Sequence, residues 1–203
     1  VARRRVELGL DRQEVSVPQA HEAGAEAEVD FGEFYATIAG LVVKCWMFVM
    51  RLSHSGKAFH VAFATQAQEA FLEGHMLAFE YFGGVPARIR YDNLKPAVIR
   101  VLKGRDRIES ERFTALRSHY GFDSFFCRPG VEGAHEKGGV EGEIGRFRRR
   151  HLVPVPKVAS LAELNELIAA ADRLDDDRHR RPGAASRALR GVRLREAAPR
   201  TGG

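Results

Sequence analysis

Cysteine is nearly missing from this 203-residue chain: only Cys45 and Cys127 occur. Both lie in apolar, strand-like runs, so no disulfide framework is expected and a reducing compartment is indicated. Two cysteines are also too few for a structural cysteine-rich zinc site. No apolar run approaches the roughly 20 residues that cross a bilayer. The opening shows no signal-peptide pattern and begins on Val1, which reads as an excised piece of a longer protein. No serine sits in a glycine elbow. No phosphate-binding Walker loop occurs, so ATP hydrolysis is not expected of this chain. There is no internal repeat.

What is present fits a water-exposed globular domain. Hydrophobic residues make up 44% and charged residues 29% of a chain long enough for one full core. The formal charge is only +5, but the basic residues are uneven. Five Arg or Lys and no acid fall between Gly145 and Lys157, and eight Arg oppose the single acid Glu196 from Arg178 onward. Such clusters fit a polyanionic partner. They fit a solvated surface with a loose tail equally well.

Residues 1–24 are polar and mixed behind a basic start, "ARRR", and read as a linker or the end of an upstream region. From Glu26, "EAEVDFGEFYATIAGLVVK" alternates as a strand does. Val29 and Phe31 fall on one face, and Glu28, Asp30 and Gly32 on the other. "CWMFVMRLS" is apolar throughout and reads as a central strand. After the turn "HSG", "KAFHVAFAT" alternates at Phe59, Val61 and Phe63, completing an antiparallel meander. "QEAFLEGHMLAFEYFGG" has helical spacing at Phe71, Leu72, Met76, Phe79 and Phe82 and stops at Gly83–Gly84.

"VPARIRYD" is a fourth strand, expected parallel to its neighbour because a helix precedes it. Residues 95–109 read as a loop or short hairpin. "SERFTALRSHYG" is a second helix capped by Ser110, and "FDSFFCRPG" a fifth strand. "VEGAH" is a loop. Val140, Ile144 and Phe147 give "EKGGVEGEIGRFRRRH" a helical period. "SLAELNELIAAADRLDDD" carries Ser160 and Glu163 as a capping box. The expected organisation is a core over 25–155, a C-terminal helix over 156–177 and a basic tail over 178–203, with little order after Pro182. The element order is that of an α/β layer architecture.

Three acids stand out by position: Asp30 in the first strand, Asp92 at the end of the fourth, and Glu141 near the start of the helix after the fifth. Ligand sites of open α/β sheets lie beyond the carboxyl ends of strands. The three converge if the first and fourth strands are neighbours. Hard oxygen donors suit Mg²⁺ or Mn²⁺. Position alone does not single them out among 27 acids, and Asp92–Asn93 also fits an ordinary Asx turn. On a helix Glu143 stands roughly 200° from Glu141, so both cannot enter one site.

The residues around these acids carry a resemblance. "VDFGEF", "VPARIRYDNLKPAV" and "HEKGGVEGEIGRFRRR" are similar to the motifs of the retroviral-integrase and DDE-transposase superfamily, over about residues 25–155. "DNLK" and "HEKGGVE" most resemble IstA-type bacterial insertion-sequence transposases. Leu94–Lys95 follows the Asp-Asn pair where integrases commonly have glycine. The resemblance implies a ribonuclease-H-like fold with a mixed five-stranded sheet flanked by helices. It implies metal-dependent DNA strand cleavage and strand transfer, with Asp30, Asp92 and Glu141 holding a pair of Mg²⁺ (or Mn²⁺) ions.

It also implies DNA as partner, a homo-oligomer in the working complex, an ATP-dependent helper protein, and a bacterial cytoplasmic, nucleoid-associated location. Candidate phosphate contacts are Lys95, Lys137, Arg146, Arg148, Arg149 and Arg150, with Arg88 and Arg90 flanking the fourth strand's end. Glycines 138, 139, 142 and 145 weaken the helix; they allow a close nucleic-acid backbone or mark a flexible segment. His135 is a lesser DNA-contact candidate. A nuclease that cuts without joining, or a DNA-binding module without catalysis, are the alternatives.

Overall fold

The computed structural model describes residues 22–91, 98–101, 107–127, 140 and 142–180. In chain order the strands are β1 (Glu26–Ile38), β2 (Leu41–Leu52), β3 (Ala58–Phe63), β4 (Arg88–Tyr91), β5 (Val98–Val101), β6 (Arg107–Glu109), β7 (Asp123–Phe126) and β8 (Lys157–Val158). The helices are α1 (Gln68–Phe82) between β3 and β4, α2 (Glu111–Tyr120) before β7, α3 (Glu143–His151) before β8, and α4 (Leu161–Arg180). The main sheet runs β3-β2-β1-β4-β7, and β8 joins β1. The first three strands pair antiparallel, while β4 lies parallel to both β1 and β7. The expected meander and parallel strands are therefore in place, and 95–109 contributes the separate β5–β6 hairpin.

Two boundaries differ from the sequence reading. "LVVK" belongs to β2 and not to the first strand, because the chain reverses at Ala39–Gly40. Both turn residues have positive φ, 50° and 82°, which is the two-residue hairpin geometry that matches strand twist. Glycine accepts it freely, but alanine is not a residue that announces such a turn. The second difference is β8, two residues that pair parallel to Thr37–Ile38. Its residues lie between prolines and a helix cap, and two residues are too few to show a period. The last helix continues to Arg180. The tail from 181 onward, like "VEGAH" and His135, lies outside the described residues.

Each face of the sheet builds a core. On one, Ala27, Val29 and Phe31 of β1 and Phe48 and Met50 of β2 meet α1 and α2 through Phe71, Phe79 and Phe113. Gly74 of α1 sits directly on Phe48: a Cβ there would lie 2.6 Å from the ring. On the other face, Phe34, Ala36, Cys45, Met47 and Val49 meet Ile144 and Phe147 of α3 and Leu164 and Ile168 of α4. That face was expected to be the polar one of the first strand, and two helices cover it. Met76, assigned to the buried stripe of α1 by spacing, is exposed, and Gly74, His75 and Ala78 take the interior. Both cysteines are buried and unpaired with each other.

Candidate active site

β1 is much longer than the parallel strands beside it. Its pairing with β4 ends at Val29–Tyr91, and its pairing with β8 begins at Thr37–Lys157. Between them, residues 30–36 have no strand partner on that side among the described residues. At about 3.3 Å per residue this notch in the sheet is roughly 20 Å long. Asp30 is its first residue. The Asp30 side chain is half-buried, and its Oδ1 accepts the Phe31 N–H at 2.8 Å. The notch opens where β4 and β7 reach their carboxyl ends, the usual place for a ligand in such sheets.

Asp92 and Glu141 lie outside the described residues, but their covalent neighbours do not. Tyr91, one residue before Asp92, is paired with Val29, one residue before Asp30. Val140, one residue before Glu141, donates its N–H to Glu28 Oε2 at 2.9 Å. Glu28 is on the same face of β1 as Asp30. The described chain neighbours of these two acids, Tyr91 and Val140, thus meet β1 at Val29 and Glu28, next to Asp30. Lys95 and Lys137 also lie outside the described residues, and no three His, Cys, Asp or Glu side chains converge among the described ones.

α3 approaches the sheet beside Asp30 because Gly32 permits it. A Cβ on Gly32 would lie 2.7 Å from Ile144 Cδ1 and 3.0 Å from its Cγ2. Below the start of α3 runs a charged row across three strands. In register, Arg51 of β2 and Arg90 of β4 flank Glu28 of β1. Arg90 Nη2 meets Glu26 Oε1 at 2.8 Å, and Arg90 Nη1 lies 4.0 Å from Glu28 Oε1. Arg51 Nε lies 3.5 Å from Glu143 Oε2, which also meets Arg146 Nη2 at 3.0 Å. Both contacts to that oxygen are ion pairs without hydrogen-bond alignment.

The basic residues divide accordingly. Arg90, a candidate phosphate contact by sequence, is largely buried against acids and packs over Phe125. Arg88 is exposed. Arg146 pairs with Glu143, and Arg150 lies 3.5 Å from Asp175 of α4. Both line a cavity of about 210 Å³ between the β2–β3 turn, α3 and α4, whose wall also holds Lys57, Asp172 and Asp176. Arg149 is exposed and lies over Gly145. Arg148 alone of the run reaches the notch, donating from Nη1 to the Glu33 carbonyl at 3.2 Å. The four arginines thus do not form one surface, because consecutive helical residues point about 100° apart.

Sequence reasoning gave no structural role to Glu28 or Glu143. By alternation Glu28 shares the strand face of Asp30 and Gly32 and has no assigned role, yet it is only 3% exposed. Glu143 read as a bystander, yet is buried in ion pairs with Arg51 and Arg146. An acid alternating with valine in a strand buried on both faces was the available signal.

No family model matches the chain. It is 38% identical over 149 residues to the transposase for insertion sequences IS1326/IS1353 of Pseudomonas aeruginosa, covering 73% of this chain and 29% of that one. It is 34% identical over 167 residues to a putative transposase for insertion sequence element IS5376 of Geobacillus stearothermophilus, covering 80% of this chain and 40% of that one. The chain therefore spans well under half the length of these curated relatives. Among solved structures, the magnesium complex of the HTLV-2 integrase catalytic core domain superposes with a TM-score of 0.52 at 13% identity, over 76% of this chain and 87% of that one. A simian T-cell lymphotropic virus intasome, in complex with a PP2A regulatory subunit, gives a TM-score of 0.55 at 12% identity, over 79% and 53%. The fold is thus that of an integrase catalytic core, with the expected mixed sheet extended by β8. By its sequence relatives and by its fold, the chain belongs to the superfamily of integrases and insertion-sequence transposases.

Proposed function

We propose that the chain is the catalytic domain of a DNA transposase, performing metal-dependent strand cleavage and strand transfer through Asp30, Asp92 and Glu141. One observation carries the reading. The residues immediately before the other two acids, Tyr91 and Val140, meet β1 at Val29 and Glu28, next to Asp30, which supports a shared site for all three.

Magnesium or manganese fits this set by donor chemistry, since hard carboxylate oxygens suit these ions, which keep waters and recruit phosphate oxygens. A pair of such ions, when bound, activates an attacking hydroxyl and stabilises the leaving oxygen of a phosphodiester. The protein's part is placement. Phe31 N–H orients the Asp30 carboxylate. Arg148, at the notch, is placed to meet a phosphate backbone lying along β1. In the reaction water attacks a phosphodiester at the element's end and frees a 3′-hydroxyl; that hydroxyl then attacks a phosphodiester of target DNA, and the target strand's 3′-oxygen leaves as the new bond forms. The partners are then DNA ends and target, further copies of the chain that pair those ends, and an ATP-dependent helper protein. The setting is the bacterial cytoplasm; no helix among the described residues is long and apolar enough to cross a membrane.

Asp30→Asn, Asp92→Asn and Glu141→Gln should each abolish cleavage of an end-sequence duplex by the purified protein while circular dichroism stays unchanged. Near-normal cleavage by any one of them removes that residue from the catalytic set.

A further inference from the structure

We infer that Glu28 is a positioning residue, a buried hydrogen-bond acceptor that fixes the Glu141-bearing segment against the strand that carries Asp30. This rests on the reading of Asp30, Asp92 and Glu141 as the metal-holding set. A carboxylate buried to 3% exposure costs free energy unless it is hydrogen-bonded or paired. Oε2 accepts the Val140 N–H at 2.9 Å, and Oε1 faces Arg90 at 4.0 Å. Arg90 is shared with Glu26, two residues back on the same face of β1.

Described residues on both sides of Glu141 in the chain are held. Val140, immediately before it, is held by Glu28 of β1. Glu143, two residues after it, is held by Arg51 of β2. Glu28 and Arg51 are cross-strand partners, so the two anchors stand side by side on one face of the sheet. Asp30 lies two residues further along that face. A rigid link between the two acid-bearing segments is thereby made by one side chain, and Gly32 lets α3 come close enough for it. The glycines around Glu141 give that segment little stiffness of its own, so its placement depends on these anchors.

The test uses Glu28→Gln, which keeps an acceptor, and Glu28→Met, which keeps the size and loses it. Three quantities are read: amide exchange at Val140 without metal, Mn²⁺ affinity, and DNA cleavage, with Asp30→Asn alongside. The inference expects a protected Val140 amide in wild type and Glu28→Gln. It expects exposure of that amide in Glu28→Met, with Mn²⁺ affinity and cleavage both reduced about 10- to 100-fold. Wild-type protection, affinity and cleavage in folded Glu28→Met would overturn it. Lost thermal stability in Glu28→Met with unchanged Mn²⁺ affinity would also overturn it, leaving Glu28 a purely structural residue. Should Glu28→Met not fold, wild type decides: a Val140 amide that exchanges freely with and without Mn²⁺ overturns the inference, and one that is protected and further slowed by Mn²⁺ supports it. If Asp30→Asn keeps Mn²⁺ binding and cleavage, the reading of the site fails instead.

Discussion

His75 shows how a single side chain is set by distant partners. Its Nδ1–H donates to the Phe71 carbonyl at 2.7 Å, and its Nε2 accepts the Tyr91 hydroxyl at 2.9 Å. Phe48, Phe71, Phe79 and Phe122 pack around the ring. Burial lowers its pKa from 6.5 to about 4, opposed only in part by the Phe71 hydrogen bond. The unfolded chain therefore takes up this proton first. The contribution of the neutral ring is complete above pH 6.5 and is lost as pH falls toward 4, by about 1.4 kcal/mol per pH unit at most. Urea unfolding across that window should show the slope in wild type, and His75→Gln should flatten it. Tyr91→Phe should cost about 1–3 kcal/mol at pH 7 by leaving the imidazole acceptor unmet. None of this was legible in the sequence. The reason is distance along the chain: the partner of His75 is a tyrosine 16 residues away and that of His60 an aspartate 112 residues away.

At the scale of elements, the order of strands and helices was legible because each has a clear period or cap. Ser110 accepts the Phe113 N–H and Ser160 the Glu163 N–H, as their positions implied. What was not legible is how elements meet. α4 covers the exposed edge of β3 with two side chains that imitate a strand. Asn165 Oδ1 accepts the Ala62 N–H at 2.7 Å, its Nδ2 donates to the Ala62 carbonyl at 3.0 Å, and Asp172 Oδ2 accepts the His60 N–H at 2.8 Å. Asp172 also meets His60 Nδ1 at 2.7 Å, and burial raises the Asp172 pKa against these bonds. Edge strands otherwise invite pairing with another chain. Asn165→Leu should cost about 1–3 kcal/mol in denaturant unfolding by orphaning two backbone groups, and should increase aggregation on light scattering. Gly74→Ala pits two effects against each other. Alanine gains about 0.8–1.0 kcal/mol of helix propensity, but the Cβ would lie 2.6 Å from Phe48, and overpacking typically costs about 1–3 kcal/mol. A net loss of stability is expected; a gain would show that α1 shifts without penalty.

For the whole molecule, a long central strand flanked by two short parallel ones leaves a notch among the described residues, and Asp30 is the first residue of that notch. That β4 lies parallel to its neighbour was foreseen from the helix before it; that this neighbour is β1 stood only as a condition, and the register pairs Tyr91 with Val29. The division of the basic run was not foreseen, because helical spacing alone does not say that α4 supplies acids for Arg150. A phosphate backbone along the notch should meet Arg148, and Lys137 stands four residues before Glu141 in the same segment. Replacing Lys137 and Arg148 together with alanine should weaken DNA binding for all sequences. It should flatten the dependence of log affinity on log salt by up to about two units. An unchanged slope and affinity would move the DNA path elsewhere. The most direct measurement is strand transfer. A labelled duplex with a free 3′-hydroxyl at the element's end is incubated with target plasmid, wild-type protein and Mg²⁺ or Mn²⁺. The account predicts joined product from wild type, none with a chelator and none from Asp30→Asn. Cut but unjoined DNA, or joining that survives Asp30→Asn, would contradict it.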